Sequence, residues 1–264
     1  VAGIIGAVRN NDIGIDGVAN NVRIMSVRTV PDGDERDKDV ANAIKYAVDN
    51  GAHIINMSFG KGFSWNESIV EEAIKYAEKK DVLLVHASGN DGKNNDTSDN
   101  FPNDTYKGKG FLFFKAKEKN YKNWIEVGAL SYMSDAEVVA PFSNYWLEEV
   151  DIFAPGMEIF STIPDNEYQM SQGTSFAAPI VAGVAAVLRS YFPSLTAVQV
   201  KDILMNSVTP INTEVIIPGT MDEMAPFSTL SVSGGAVNAE QAVNMAKTVK
   251  GKKKIKNKTN NSKA

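Results

Sequence analysis

Residues 173–188 read GTSFAAPIVAGVAAVL and contain no charged side chain. A helix with this sequence would be apolar on every face, so we expect it in the centre of a domain. Pro179 is tolerated only near the first turn of a helix, which predicts that the helix begins close to Ser175. The segment is short for a membrane span and no longer apolar run exists, so no membrane-spanning helix is expected.

Strand-like and helical patterns alternate along the chain. Strands are predicted at residues 22–27, 53–58, 82–85, 125–130 and 150–153. Helical patterns lie between the first three strands, at residues 40–49 and after a capping-box sequence at 64–67. A second capping box, at 196–199, predicts a helix after the buried one. Helical crossovers favour parallel pairing, so the sequence predicts an α/β domain of three layers with a mainly parallel sheet.

The composition restricts the class of protein. Of the 264 residues, 43% are hydrophobic and 22% are charged, which is typical of a globular domain. The absence of cysteine excludes disulfides, thiolate zinc sites and a cysteine nucleophile. Residues 247–264 carry eight lysines and no acidic side chain, which leaves 19 basic and 32 acidic side chains elsewhere. Such an acidic body argues against binding to nucleic acid.

The basic end of the chain has two interpretations. It could anchor the protein electrostatically to an acidic surface, or it could be a solvated, disordered end. Residues 250–264 contain one large apolar residue, Ile255, which offers too little burial to offset the entropy of ordering. We therefore predict a domain at residues 1–249 and a basic disordered tail at residues 250–264.

Ser175 is the first candidate for chemistry, because Gly173-Thr174-Ser175 begins the buried helix. A serine in the first turn commonly caps free backbone N–H groups, which is the simplest alternative to catalysis. However, Gly173 lets the backbone approach a ligand closely. The positive end of the helix dipole also favours an oxyanion that develops beside Ser175. The start of this helix therefore suits a nucleophile.

Two further motifs follow predicted strands. ASGN at residues 87–90 comes directly after the strand at 82–85, and SFG at residues 58–60 ends the strand at 53–58. Ligands of open parallel sheets bind at the carboxyl ends of the strands, so both motifs are expected at one edge. Asn90 offers an amide N–H donor there without a titrating charge. The alternative for both motifs is an ordinary turn at the end of a strand.

Together these motifs resemble those of the subtilisin-like serine proteases, the subtilases. GTSFAAP at residues 173–179 resembles the family's nucleophile motif, NMSFG at 56–60 its substrate-binding strand, and ASGN at 87–90 its oxyanion motif. The resemblance covers roughly residues 1–208 and implies a subtilisin-like fold. It implies a serine endopeptidase in which Ser175 is the nucleophile and Asn90 stabilises the oxyanion. The residues implied in substrate binding are Ser58, Phe59, Gly60, Ala87, Ser88, Gly89 and Thr174.

Subtilases also need an aspartate and a histidine, which precede the serine in the chain. The family's histidine motif, His-Gly-Thr-His-Val-Ala-Gly, ends in the residues VAG that stand here at positions 1–3. We therefore expect an N-terminally truncated domain that lacks both groups and is inactive alone. His53 and His86 follow no family pattern, so neither is expected to be the base. The alternative function is a non-catalytic, protease-like module that binds peptides.

A loop rich in acidic and amide side chains is the candidate metal site. Its members are Asp91, Asn94, Asn95, Asp96, Asp99, Asn100, Asn103 and Asp104. Oxygen ligands of this kind suit Ca²⁺, and many subtilases bind structural calcium, although the spacing matches no EF-hand. The alternative is a solvated polar loop. No metal or cofactor is expected to take part in the chemistry.

The resemblance has further implications. The expected partner is a peptide or protein substrate, with an upstream propeptide as an additional candidate. The expected location is outside the cell or in the cell envelope. Phe101-Pro102 stands where related proteases carry an aromatic–proline pair near the specificity pocket, so we expect a cis peptide bond there.

Overall fold

The computed structural model describes residues 1–95, 100–107 and 118–252. Its α-helices are α1 (Ala2–Gly6), α2 (Asp37–Asp49), α3 (Glu67–Lys79), α4 (Thr174–Tyr191), α5 (Ala197–Asn206) and α6 (Ala239–Ala246). Its strands are β1 (Ile54–Met57), β2 (Leu83–Ala87), β3 (Thr105–Lys107), β4 (Glu118–Asn120), β5 (Trp124–Leu130), β6 (Ile152–Pro155), β7 (Ile159–Ile163), β8 (Glu167–Ser171), β9 (Thr209–Pro210), β10 (Glu214–Ile216), β11 (Met224–Pro226) and β12 (Gly235–Ala236). Short 3-10 helices lie at Asp135–Glu137, Pro164–Asn166 and Phe227–Thr229.

A sheet of six strands, in the order β1-β2-β5-β6-β12-β9, runs through the middle of the fold. The strands from β1 to β12 in this order are parallel, and β9 is antiparallel to β12. Helix α4 packs on one face with α5 and α6, and helices α2 and α3 pack on the other. The three-layer α/β fold with a mainly parallel sheet is therefore confirmed.

The central strands are buried on both faces. In β2, Leu83 and Val85 pack into the core around α4, whereas Leu84 packs into the core around α2 and α3. All seven residues of β5 are buried as well. Strands covered on both sides carry continuous apolar runs and not an alternating pattern. This explains why the unbroken VLLV at residues 82–85 predicted a central strand.

Helix α4 is the centre of the larger core. Its residues Ala177, Ala178 and Ala185 are fully buried, and their small side chains allow the helix to lie close to the strands. Gly183 allows an equally close approach to the start of the chain, because a Cβ atom there would lie 2.6 Å from Cβ of Val18. Among the described residues, α4 alone is long and apolar enough to cross a membrane, but 61% of it is buried in the fold. It is a core helix.

The strand predicted at residues 22–27 is wrong. This segment has no regular secondary structure, and it lies across a trough of about 900 Å³ from β1. Residues of α2 and α4 complete the walls of the trough. Within the described ranges no strand pairs with this segment, so it lacks the ladder of hydrogen bonds that a strand needs and that alternating apolar side chains cannot replace. Strand β1 pairs only with β2 among the described strands, so it forms the edge of the central sheet.

One of the two predicted capping boxes is confirmed. Thr196 accepts the N–H of Gln199 through its hydroxyl, and the Gln199 side chain accepts the N–H of Thr196. The box predicted at Ser64 is wrong, because α3 begins at Glu67 with Asn66 as its N-cap. The carboxylate of Asp37 holds this turn instead, since it accepts the backbone N–H of Asn66 and bonds to Ser64.

The predicted tail lies mostly outside the described residues. At its start, Gln199 accepts the backbone N–H of Lys252 and donates to the carbonyl of Lys250. The chain therefore stays attached to α5 as far as residue 252. The disorder of residues 253–264, and the domain boundary at residue 249, stay predictions.

Two acidic side chains lie buried beside the central strands, with half-buried Lys201 next to them. Asp151 accepts the backbone N–H of Glu126 at 2.9 Å and pairs with Lys201 at 3.0 Å. Asp104 accepts Nδ2 of Asn120 with one oxygen, while its other oxygen has no partner. Burial and the negative charge of Asp151 raise the pKa of Asp104 to about 7, although Lys201 opposes the shift. Ionised Asp104 therefore destabilises the fold.

Thr196→Ala should remove the confirmed capping box and lower the free energy of unfolding by about 1 kcal/mol. Asn66→Ala is the matched control, because the Asn66 side chain at the N-cap of α3 accepts the hydroxyl of Ser68 and no backbone N–H of the helix. Asn66→Ala should lower the free energy of unfolding by less than Thr196→Ala does. Urea denaturation of both variants tests this, and equal losses would contradict the assignment of the caps.

The buried carboxyl of Asp104 should make stability depend on pH. Because its pKa is raised in the folded state, the folded protein keeps a proton that the unfolded chain releases. The free energy of unfolding should therefore fall as pH rises from about 4 to about 7, with a slope of at most about 1.4 kcal/mol per pH unit from this group. Asp104→Asn should make that slope shallower. An identical slope in both proteins, measured by denaturation at each pH, would contradict this prediction.

Candidate active site

The three predicted motifs meet at one edge of the central sheet. Ser58 follows the end of β1, Asn90 follows the end of β2, and Ser175 lies in the first turn of α4. Strands β1 and β2 are parallel and in register, with Asn56 opposite Val85, so their carboxyl ends lie side by side. Helix α4 packs across both strands and starts at this same edge.

Ser175 is tied to the end of β1 by two hydrogen bonds. Its Oγ donates to the carbonyl oxygen of Ser58 at 3.2 Å, and Oγ of Ser58 donates to the carbonyl oxygen of Ser175 at 3.0 Å. Nδ2 of Asn56 donates in turn to Oγ of Ser58. Ser175 is half-buried. The N-cap of α4 is Gly173, and Ser175 Oγ bonds to the carbonyl of Ser58, which argues against the capping alternative for Ser175.

Asn90 is oriented by Thr174. The backbone N–H of Thr174 donates to Oδ1 of Asn90 at 2.8 Å, and the Thr174 hydroxyl donates to the same oxygen at 3.1 Å. An N–H group can only donate, so it fixes which end of the Asn90 amide faces the helix. The Nδ2 end consequently faces away from Thr174, and Asn90 is exposed to solvent. Gly173 has φ 137°, a conformation that favours glycine.

The segments at 58–60 and 87–89 form two walls with an asparagine between them. Nδ2 of Asn100 donates to the carbonyl of Ser88 at 3.0 Å, and a Cβ atom at Gly60 would lie 2.5 Å from Oδ1 of Asn100. A Cβ atom at Gly89 would similarly lie 2.4 Å from Nδ2 of Asn144. Position 89, with φ 104°, therefore favours glycine, and a side chain at position 60 would displace Asn100. Ala87 and Ser88 are buried, and Phe59 is half-buried.

Asn100 and Asn144 are contributors to the site that the sequence analysis missed. Oδ1 of Asn144 accepts the backbone N–H groups of Asp91 and Lys93, which holds the turn after Asn90. The signal for Asn100 was its place directly before Phe101-Pro102, where the cis peptide bond is confirmed. Asn144 carried no recognisable signal, because it lies far from the motifs in sequence.

Neither histidine is placed to act as a base for Ser175. His86 is fully buried in β2, where its Nδ1 faces the Glu126 carboxylate at 2.9 Å and its Nε2 faces the carbonyl of Phe59 at 2.7 Å. His53 precedes the amino end of β1, whereas Ser58 and Ser175 lie at the carboxyl end. At about 3.3 Å per residue, a strand of four residues separates these ends by roughly 13 Å.

The described members of the candidate calcium loop make other bonds. Nδ2 of Asn95 donates to the carbonyl of Ser88, Asn103 accepts from Thr105, and Asp91 faces Lys93 at 3.9 Å. In the part of the chain that the structure describes, no three carboxylate or histidine side chains are close enough to hold a metal ion. Asp96 and Asp99 lie outside the described residues. Calcium binding stays a prediction, and the fit of the described residues does not support it.

Comparison with known proteins agrees with the geometry. A family model described as the subtilase family matches residues 1–257. A thermophilic serine proteinase of Bacillus sp. (strain AK1) is 40% identical over 193 residues, which are 72% of this chain and 41% of that protein. Alkaline elastase YaB of Bacillus sp. (strain YaB) is 35% identical over 92% of this chain and 53% of its own length. The chain thus spans about half the length of these curated relatives.

Solved structures are similar over nearly the whole chain. The prenylagaramide maturation protease PagA has a TM-score of 0.65 at 28% identity, over 92% of this chain and 80% of its own. A structure of the subtilase cytotoxin SubAB has a TM-score of 0.70 at 26% identity, over 93% of this chain and 74% of its own. With its motifs gathered at one sheet edge and the family model matched from residue 1 to residue 257, the chain belongs to the subtilase family.

Proposed function

We propose that this protein is a serine endopeptidase with Ser175 as its nucleophile and Asn90 as the oxyanion donor. The observation that carries the proposal is the contact between the start of α4 and the ends of β1 and β2. There Ser175 Oγ reaches the Ser58 carbonyl, and Thr174 binds the oxygen end of the Asn90 amide, which leaves Nδ2 as the end that can donate. A nucleophile and an amide donor on rigid elements are what acyl transfer requires.

In this proposal the hydroxyl of Ser175 attacks the carbonyl carbon of the scissile bond. A base takes the hydroxyl proton, and the new oxyanion accepts an N–H from Nδ2 of Asn90 at the positive end of the α4 dipole. The base then returns the proton to the amine that leaves, which gives an acyl-enzyme. Water hydrolyses this ester by the same steps in reverse order and regenerates Ser175. No metal or cofactor takes part.

The base and the aspartate that orients it come from outside these 264 residues. Support comes from the positions of His53 and His86, the two histidines of the sequence, neither of which reaches Ser175. The family order of aspartate, histidine and serine also assigns both groups to an earlier segment. The trough beside β1 reaches Asn56 and Phe59, next to the site, and leaves room for further chain there.

The substrate is a peptide or protein that binds as an extended strand along Ser58–Gly60. This segment directly follows the edge strand β1, and Gly60 is exposed. Main-chain hydrogen bonds would give affinity, and the space between the two walls would hold one side chain. From membership of the subtilase family, we also infer that the protein acts outside the cell or in its envelope. Neither nucleic acid nor a membrane span belongs to this proposal.

One observation favours a second function, a peptide-binding module without catalysis. No histidine of this chain reaches Ser175, so a protein that gained no base from elsewhere would bind peptide in the same groove and leave it uncut. The two functions differ in turnover but not in binding, which makes them separable by experiment.

The 264-residue chain should hydrolyse a chromogenic peptide no faster than its Ser175→Ala variant, because no base activates the hydroxyl. The product of the complete reading frame should be active, and Ser175→Ala should reduce its kcat by about 10⁶-fold, as loss of the nucleophile does in subtilisin. Equal, serine-dependent turnover by the short and the complete protein would contradict the assignment of the base. Tight peptide binding without turnover by the complete protein would favour the binding module.

Asn90→Asp and Asn90→Leu should each lower kcat of the complete protein by about 10²–10³-fold with little change in KM. Asp keeps the oxygen that accepts from Thr174 but lacks the N–H donor, and Leu lacks both. The matched control is Asn20→Ala, at an exposed position far along the chain from the motifs. Full activity in Asn90→Asp would show that Nδ2 does not serve the oxyanion.

A further inference from the structure

His86 and Glu126 form a buried pair behind the first wall of the cleft. They stand directly opposite each other on β2 and β5, and both are at most 5% exposed. Nδ1 of His86 lies 2.9 and 3.0 Å from the two carboxylate oxygens of Glu126. Nε2 of His86 lies 2.7 Å from the carbonyl oxygen of Phe59, the middle residue of the 58–60 wall.

The partners of His86 fix its protonation. A carbonyl oxygen can only accept, so Nε2 carries a proton that it donates to Phe59. The carboxylate of Glu126 also accepts Nε1–H of Trp124 at 2.8 Å and Nδ2–H of Asn100 at 3.4 Å. Both of its oxygens therefore act as acceptors, and Nδ1 of His86 is a donor too. With acceptors on both sides, the ring is placed to donate from both nitrogens, as an imidazolium does.

Several other charges face this pair. Burial lowers the pKa of His86, but the charge and hydrogen bond of Glu126 and the carbonyl of Phe59 outweigh it, so the pKa is raised. The buried carboxyl of Glu35, from the loop before α2, acts in the same direction. Beyond Glu126 lie Asp104 and the ion pair of Asp151 with Lys201.

The pair is connected to both walls of the cleft. His86 binds the carbonyl of Phe59, while Asn100 donates to Glu126 and to the carbonyl of Ser88 in the opposite wall. The Phe59 carbonyl is held by His86, and the Ser58 carbonyl accepts Ser175 Oγ. Both fixed carbonyls hold this wall in place, and exposed Gly60 remains to pair with a peptide backbone.

We propose that His86 and Glu126 are positioning residues for peptide binding, in which the buried imidazolium holds the Phe59 carbonyl and so fixes the strand Ser58–Gly60 for pairing with the substrate backbone. The inference rests on the proposed peptide groove but does not depend on cleavage. When His86 loses its proton, one of its two N–H bonds is lost, and Glu126 keeps a buried charge without its counterion. Peptide affinity should therefore fall as pH rises through the titration of His86.

The first measurement uses the complete protein with the single substitution Ser175→Ala, which prevents cleavage of the bound peptide. Its ¹⁵N-histidine NMR spectrum reports the protonation of His86 between pH 6 and pH 10, and His86→Gln, whose spectrum lacks this signal, assigns it among the histidines of the complete protein. Fluorescence anisotropy of a labelled apolar octapeptide gives its Kd at each pH. We expect an imidazolium at pH 7 and a loss of affinity of about tenfold with the midpoint of the His86 titration, as for one charged hydrogen bond.

Two variants separate positioning from general stability. Glu126→Gln removes the counterion, so the NMR midpoint and the midpoint of peptide affinity should both move to lower pH by the same amount. The double variant His86→Gln with Glu126→Gln keeps one N–H donor for Phe59, so its affinity should stay within a few-fold of the value at pH 7 and lose its pH dependence. His53→Gln is the matched control and should leave the affinity profile unchanged.

The outcomes distinguish this inference from the proposed function. Neutral His86 at pH 7, or peptide affinity that is constant across the His86 midpoint, overturns the positioning role while the groove itself stands. Failure of Ser175→Ala to bind any peptide overturns both the groove and the positioning role. A shift of the NMR midpoint in Glu126→Gln without a shift in affinity likewise overturns the role.

Discussion

The hydrogen bonds that join the first turn of α4 to the ends of β1 and β2 determine the geometry of the whole site. Thr174 is fully buried, and its N–H and hydroxyl both bind Asn90, while its hydroxyl also accepts the N–H of Gly89. On the other side, Ser175 and Ser58 bind each other twice. Two strand ends and one helix start are therefore fixed by neighbouring residues, because Thr174 binds Asn90 and Ser175 binds Ser58.

This junction needs a helix that lies close to the sheet, which is what the small residues of α4 allow. Bulkier side chains at Ala177 or Ala178 would push the helix away from the strands and pull its first turn from Asn90. The sequence made this much predictable, because an uncharged run rich in alanine and glycine has no stable place outside a core. The same holds for VLLV at residues 82–85, whose continuous apolar pattern only a doubly covered strand satisfies.

Other features could not be read from the sequence, because they depend on neighbours distant along the chain. Residues 22–27 have the alternation of a strand but no strand beside them, so pattern alone gave the wrong state. Ser64 has the spacing of a cap, but Asp37 engages it from another element. Asn100, Asn144 and Glu126 form the back of the cleft through contacts across the fold, and a polar residue in isolation predicts none of them. By contrast, Ser175 and Asn90 were predictable from the sequence. Ser175 lies at the start of α4 and Asn90 follows β2, and both elements have a clear apolar pattern.

The unpaired edge of β1 has a consequence beyond the site. An edge strand presents free N–H and C=O groups, and any extended segment of suitable sequence can add to it. Exposed Ile24 and Met25 line the opposite side of the trough, so the opening also offers apolar surface to an incoming strand. Two molecules that meet at this edge compete with every other segment that could fill the trough. Self-association of two molecules and the addition of another segment to the sheet therefore need the same backbone groups of β1. Which of the two prevails depends on the protein concentration.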